Sequence, residues 1–92
     1  MTLKIEKASD GPATVLRLSG RIESAQVQEL KAQIDGRTRR LVLDLEQVRL
    51  VDLDAVHFLA VCEAEGVELR RCPQYVRQWI LSETPRIREL ER

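Results

Sequence analysis

Apolar and polar residues alternate at the start of the chain, Leu3 and Ile5 against Lys4 and Glu6. That two-residue period predicts a half-buried strand. Asp10-Gly11-Pro12 supplies turn chemistry, and residues 13–18 read as a second strand, so a hairpin is expected. Its alternation is imperfect: Leu16 and Leu18 share one face and Val15 lies on the other. Gly20 is expected to end the hairpin. The period then becomes helical, with Ala25, Leu30 and Ile34 among the apolar positions and Val27 at one edge. Gln26, Glu29, Lys31 and Gln33 make a wetter side, Glu23 or Ser24 is placed to cap the first turn, and Gly36 is a natural stop.

Residues 41–45, Leu-Val-Leu-Asp-Leu, are apolar on both parities, as in a strand covered on both faces. A strand, a helix and a strand in succession predict a right-handed crossover to a parallel neighbour. After Val48, Leu50 and Val51, the period turns helical again from Ala55, with Val56, Leu59 and Ala60 in line and Phe58 and Cys62 beside them. Gly66 stops this helix, residues 67–69 form a last short strand, and Pro73 opens a further helix at a position that needs no N–H. Val76, Trp79 and Ile80 share a face there; Pro85 is expected to interrupt, leaving Ile87 and Leu90 for a short terminal turn. The order ββαβαβα predicts a single α/β domain over residues 1–92, a small mixed sheet with helices packed against it.

Composition narrows the function. The chain has 92 residues, 3% aromatic, with 15 basic and 15 acidic side chains. Zero formal charge removes the usual footprint of a nucleic-acid binder, and Arg37, Arg39 and Arg40 read as a solvated loop before a strand. No signal-type apolar segment leads the sequence and no run approaches a membrane span. Cys62 and Cys72 lack a CxxC neighbour, so they are read as reduced thiols in a cytoplasmic protein. No cofactor and no metal site is expected. His57, the only histidine, reads as a partly exposed helix residue that could pair with Asp52 or Asp54, and the acidic set Asp44, Glu46, Asp52 and Asp54 is split between a strand and a helix start.

The segment Val-Leu-Asp-Leu-Glu-Gln-Val at 42–48, followed by Leu-Val-Asp-Leu-Asp-Ala at 50–55, resembles the central motif of the STAS family. That family includes the anti-sigma-factor antagonists and the cytoplasmic domains of sulfate transporters. Leu18-Ser19-Gly20-Arg21-Ile22-Glu23 is similar to its Leu-x-Gly-x-Leu-Asp segment, and the strand at 67–69 with Pro73, Val76 and Trp79-Ile80 is similar to its closing strand and helix. The resemblance therefore implies a STAS fold across nearly the whole chain. It puts the motif's aspartate at Asp52, its first serine at Leu53 and its glycine at Ala55. Its second serine, which a partner kinase phosphorylates in the antagonists, falls on Asp54. A phosphoserine carries about −1.5 to −2 charge. An aspartate there is a fixed, smaller negative charge that no serine kinase can switch.

The expectation that follows is a non-catalytic domain that binds a protein. The surface expected to do so is residues 49–54 and the exposed face of the next helix: Arg49, Leu53, Asp54, His57 and Val61. Asp52 and Asp54 are both candidate caps for that helix. Leu53 is open to two roles, a staple under the helix or an exposed apolar contact. The resemblance implies a kinase-like anti-sigma factor as partner, with a transporter subunit of a lipid-transport ATPase complex as the alternative and a small ligand or nucleotide as a third. Residues 3–5 could also form an edge strand that pairs with a second copy.

Overall fold

The computed structural model describes residues 3–34 and 40–90. Gly36, Arg37 and Arg39 lie outside them. Strands β1 (Leu3–Asp10), β2 (Ala13–Ile22), β3 (Leu41–Val51) and β4 (Glu68–Arg70) form one sheet in that spatial order. Helices α1 (Ser24–Ile34), α2 (Leu53–Ala64) and α3 (Gln74–Leu90) follow β2, β3 and β4. The first pair is antiparallel and the next two are parallel, which makes the sheet mixed, as the element order requires.

The hairpin turns on Gly11 and Pro12, with Asp10 opposite Ala13. Gly11 takes φ +61°, the positive φ that a type II′ hairpin turn demands at its first central residue and that glycine supplies without steric cost. Gly20 does not end β2. It sits inside the strand at φ +100°, where the pairing with β3 shifts register between Gly20 and Arg21. A bulge puts an extra residue in one strand and bends it; here that residue is Arg49 of β3, between Val48 and Leu50, and β2 continues to Ile22. Both inner strands are longer than the period of apolar residues suggests, because pairing with a neighbour holds polar stretches such as Glu46–Gln47 extended.

Leu16, Leu18 and Ile22 of β2 and Leu41, Leu43, Leu45, Val48 and Val51 of β3 join Val27, Leu30, Val56, Leu59, Val76 and Ile80 of the helices in one core. Ala25 is exposed, whereas Val27, placed at the edge by periodicity, is buried. The other sheet face carries charges. The cross-strand register sets Glu6 opposite Arg17, Arg17 opposite Asp44, and Asp44 opposite Arg70, a row of alternating sign. Asp44 is 1% exposed. It is satisfied by Arg71 Nη2, by the Glu46 N–H at 3.1 Å and by Arg17 Nε at 3.8 Å. Arg71 holds a left-handed φ of +53°, a conformation costly for a residue with a Cβ that its ion pairs to Asp44 and Glu46 stabilise.

Two expectations for α3 are corrected. Pro73 precedes the helix and gives its carbonyl to the Arg77 N–H at 3.0 Å, so it is the cap rather than the first helical residue. Pro85 does not interrupt; the helix runs through it to Leu90. The bond lost at its missing N–H is local, and one residue earlier the Thr84 hydroxyl donates to the Ile80 carbonyl at 2.7 Å.

Candidate functional site at the paired helix starts

The parallel register puts Ile22 opposite Val51, so two strands end side by side and two helices begin side by side. The Asp52 N–H reaches back to the Ile22 carbonyl at 3.3 Å. Each helix start carries N–H groups with no intrahelical acceptor and the positive end of a dipole. The Asp52 carboxylate answers both. Its Oδ1 accepts from the Ala55 N–H at 2.9 Å, the N-cap bond of α2. Its Oδ2 accepts from the Ser24 N–H at 2.9 Å and from the Ser24 hydroxyl at 3.3 Å. Glu23 is the N-cap of α1: its carbonyl accepts from Gln26 and Val27, and the Gln26 side chain accepts from its N–H at 3.2 Å, the returning half of a capping box.

Of the two candidate caps for α2, Asp52 is therefore the cap. Asp54 lies in the first turn, exposed. Its charge is favourable beside the helix N-terminus, but its carboxylate is not spent on a cap bond. Leu53 is 48% exposed and so is an apolar contact open to solvent rather than a staple.

Asp54, His57 and Val61 recur along α2 at spacings of three and four, which places them on one side of the helix. They face α1 across an open groove of ≈ 340 Å³. Val27 of α1 and Phe58 of α2 give it an apolar lining, and Ser24, Gln28 and Lys31 form its polar wall on α1. Three of the five residues expected to meet a partner are thus brought together. Arg49 and Leu53 are exposed outside the groove. The α1 wall escaped the sequence reading, although Ser24, Val27/Gln28 and Lys31 carry a signal: they recur at helical spacing, the mark of a flank facing a neighbouring helix.

His57 pairs with neither Asp52 nor Asp54. Its Nε2 lies 2.8 Å from Glu83 Oε1 of α3. The acidic set stays split, Asp44 and Glu46 going to arginines and Asp52 to the helix starts. Among the described residues no three of His, Cys, Asp and Glu converge as metal ligands. Both cysteines are free. Burial is the main cause pushing the Cys62 thiol up to about 12, and it raises Cys72 as well, the opposite of what activates a thiol.

The family model described as "Mlab, STAS domain" matches residues 5–81, most of the chain, and the protein belongs to the STAS domain family. Among solved structures, the STAS domain of an antisigma-factor antagonist from Rhodobacter sphaeroides is similar in fold, with a TM-score of 0.54, 24% sequence identity, and coverage of 78% of this chain and 90% of that one. No curated protein matches.

Proposed function

We propose that this domain regulates by binding another protein in the cytoplasm through the groove between α1 and α2, with Asp54 as a permanent negative charge at its edge. The observation that carries this is the position of Asp54. The residue at the family's switch serine is exposed, free of the capping role, and lines an apolar groove beside His57 and Val61. A partner that reads charge at this point meets a constant signal, so the binding state is set by the sequence and not by a serine kinase. Catalysis has no place in this reading: the groove's one histidine is engaged by Glu83.

The partner in the first reading is a kinase-like anti-sigma factor, the kind of protein an antagonist fold serves. A second reading puts a transporter subunit on the same surface. The match to a model described as Mlab, rather than to one naming an antagonist, favours it. Affinity capture from the protein's own cell extract with wild type, Asp54→Ala and Asp54→Ser separates the possibilities. Recovery of a kinase-like protein or of transporter subunits assigns the branch. Loss of that partner in Asp54→Ala, and phosphate-dependent return in Asp54→Ser, is expected. Unchanged capture by both variants would reduce Asp54 to a surface charge and overturn its role.

A further inference from the structure

β1 is a sheet edge: among the described residues it pairs with β2 alone. A two-residue turn closes on a hydrogen-bonded pair, here Asp10 and Ala13. Hydrogen-bonded and non-bonded pairs then alternate, so the even-numbered residues of β1 address β2. The backbone groups of Leu3, Ile5 and Lys7 point outward, a template for another strand.

The charges on this edge select which strand. The row Arg70, Asp44, Arg17, Glu6 alternates in sign across the open face and ends at β1 on a negative residue. The next strand must supply a positive one. Lys4 lies on the same face of β1 as Glu6, and neither enters an ion pair among the described residues.

We propose that a second copy of this chain adds its β1 antiparallel to the first, with Ile5 opposite Ile5 across a two-fold axis. This register pairs Lys4 with Glu6 of the other copy twice, by symmetry, and continues the alternating row. It sets Leu3 against Lys7, so the outward backbone groups of residues 3, 5 and 7 meet their counterparts. Each neighbouring register that keeps the backbone bonds brings like residues together: Lys4 on Lys4, Glu6 on Glu6, or Lys7 on Lys7. Like charges directly opposite are destabilising, so the edge is addressed to itself in one alignment. Paired residues share a face, which puts the helices of both copies on one side of an extended sheet and brings the two half-buried Ile5 side chains into contact. The α1–α2 groove plays no part in this contact.

The test is sedimentation equilibrium of the purified chain over a wide concentration range, with thermal melts to verify folding. Wild type is expected to be a monomer–dimer equilibrium. Lys4→Glu and Glu6→Lys, each alone, should raise the dimer dissociation constant roughly tenfold or more. An equimolar mixture of these two variants should form a mixed dimer, because both cross-strand pairs then become attractive again. Lys7→Pro, at an exposed edge position whose N–H is not needed by β2, should give a folded monomer. A wild type that stays monomeric at millimolar concentration, a dimer indifferent to the single charge reversals, or failure of the mixture to associate would each overturn the proposal.

Discussion

α2 has two flanks, and the chain treats them in opposite ways. Toward α3 the seam is closed. Val56, Val76 and Ile80 are fully buried, and the rim is fastened by His57 with Glu83 and by Arg77 with Glu63, each at 2.8 Å. Toward α1 the two helices share a core only at depth, through Val27, Leu30 and Leu59. Above that level they part into the groove, leaving Phe58 and Val61 half-buried. The difference teaches where stability and recognition reside. A closed seam contributes through burial and packing. An open seam with apolar walls and a polar rim has surface left to bury against something else.

Substitutions across the two flanks should separate these roles. The largest effect on stability is expected at the closed seam: Ile80→Ala should cost about 2–5 kcal/mol by cavity formation, read by urea unfolding. Next comes the joint that holds both helix starts. Asp52→Ala removes the α2 cap and the acceptor of the Ser24 N–H, so about 2 kcal/mol is expected, or roughly 8–16 °C in Tm. Asp52→Asn should lose less, since asparagine caps nearly as well. His57→Ala should cost about 1.5 kcal/mol, the low end for a hydrogen bond to a charged group, here the Glu83 carboxylate. On the open flank, Val61→Ala should cost about 1 kcal/mol or less, because its side chain is only half removed from water.

The smallest effect at neutral pH belongs to Cys62. Burial keeps its thiol protonated in the fold up to about 12, against 9.0 for an unperturbed thiol. The unfolded chain therefore binds fewer protons between those values, and stability falls as pH rises through that window. Below about pH 9 the contribution is complete. Urea midpoints of wild type and Cys62→Ala should run parallel below pH 9, and wild type should lose more between pH 9 and 10.5.

Much of this was legible in the sequence. Alternation gave the hairpin, the doubly apolar run 41–45 gave the central strand, and the motif at 50–55 gave the start of α2. What was hidden depends on neighbours. The role of Asp52 needs the parallel pairing of Ile22 with Val51, which brings Ser24 within reach from 28 positions away. The partner of His57 comes from α3 in the same manner. By local habit Gly20 and Pro85 are breaks, yet both lie inside elements, Gly20 because pairing with β3 carries β2 past it. The apolar parities of 41–45 imply a covered strand but not what satisfies Asp44, because its partners Arg17 and Arg71 flank it only in the folded chain.

The central claim is that recognition resides in the open flank. The most direct measurement is partner capture by two matched charge insertions, Val61→Asp in the groove and Leu81→Asp at an exposed position of α3, with folding verified by thermal melts. The account predicts that Val61→Asp loses the partner recovered by wild type while Leu81→Asp retains it. Loss with Leu81→Asp and retention with Val61→Asp would move recognition to α3 and contradict it.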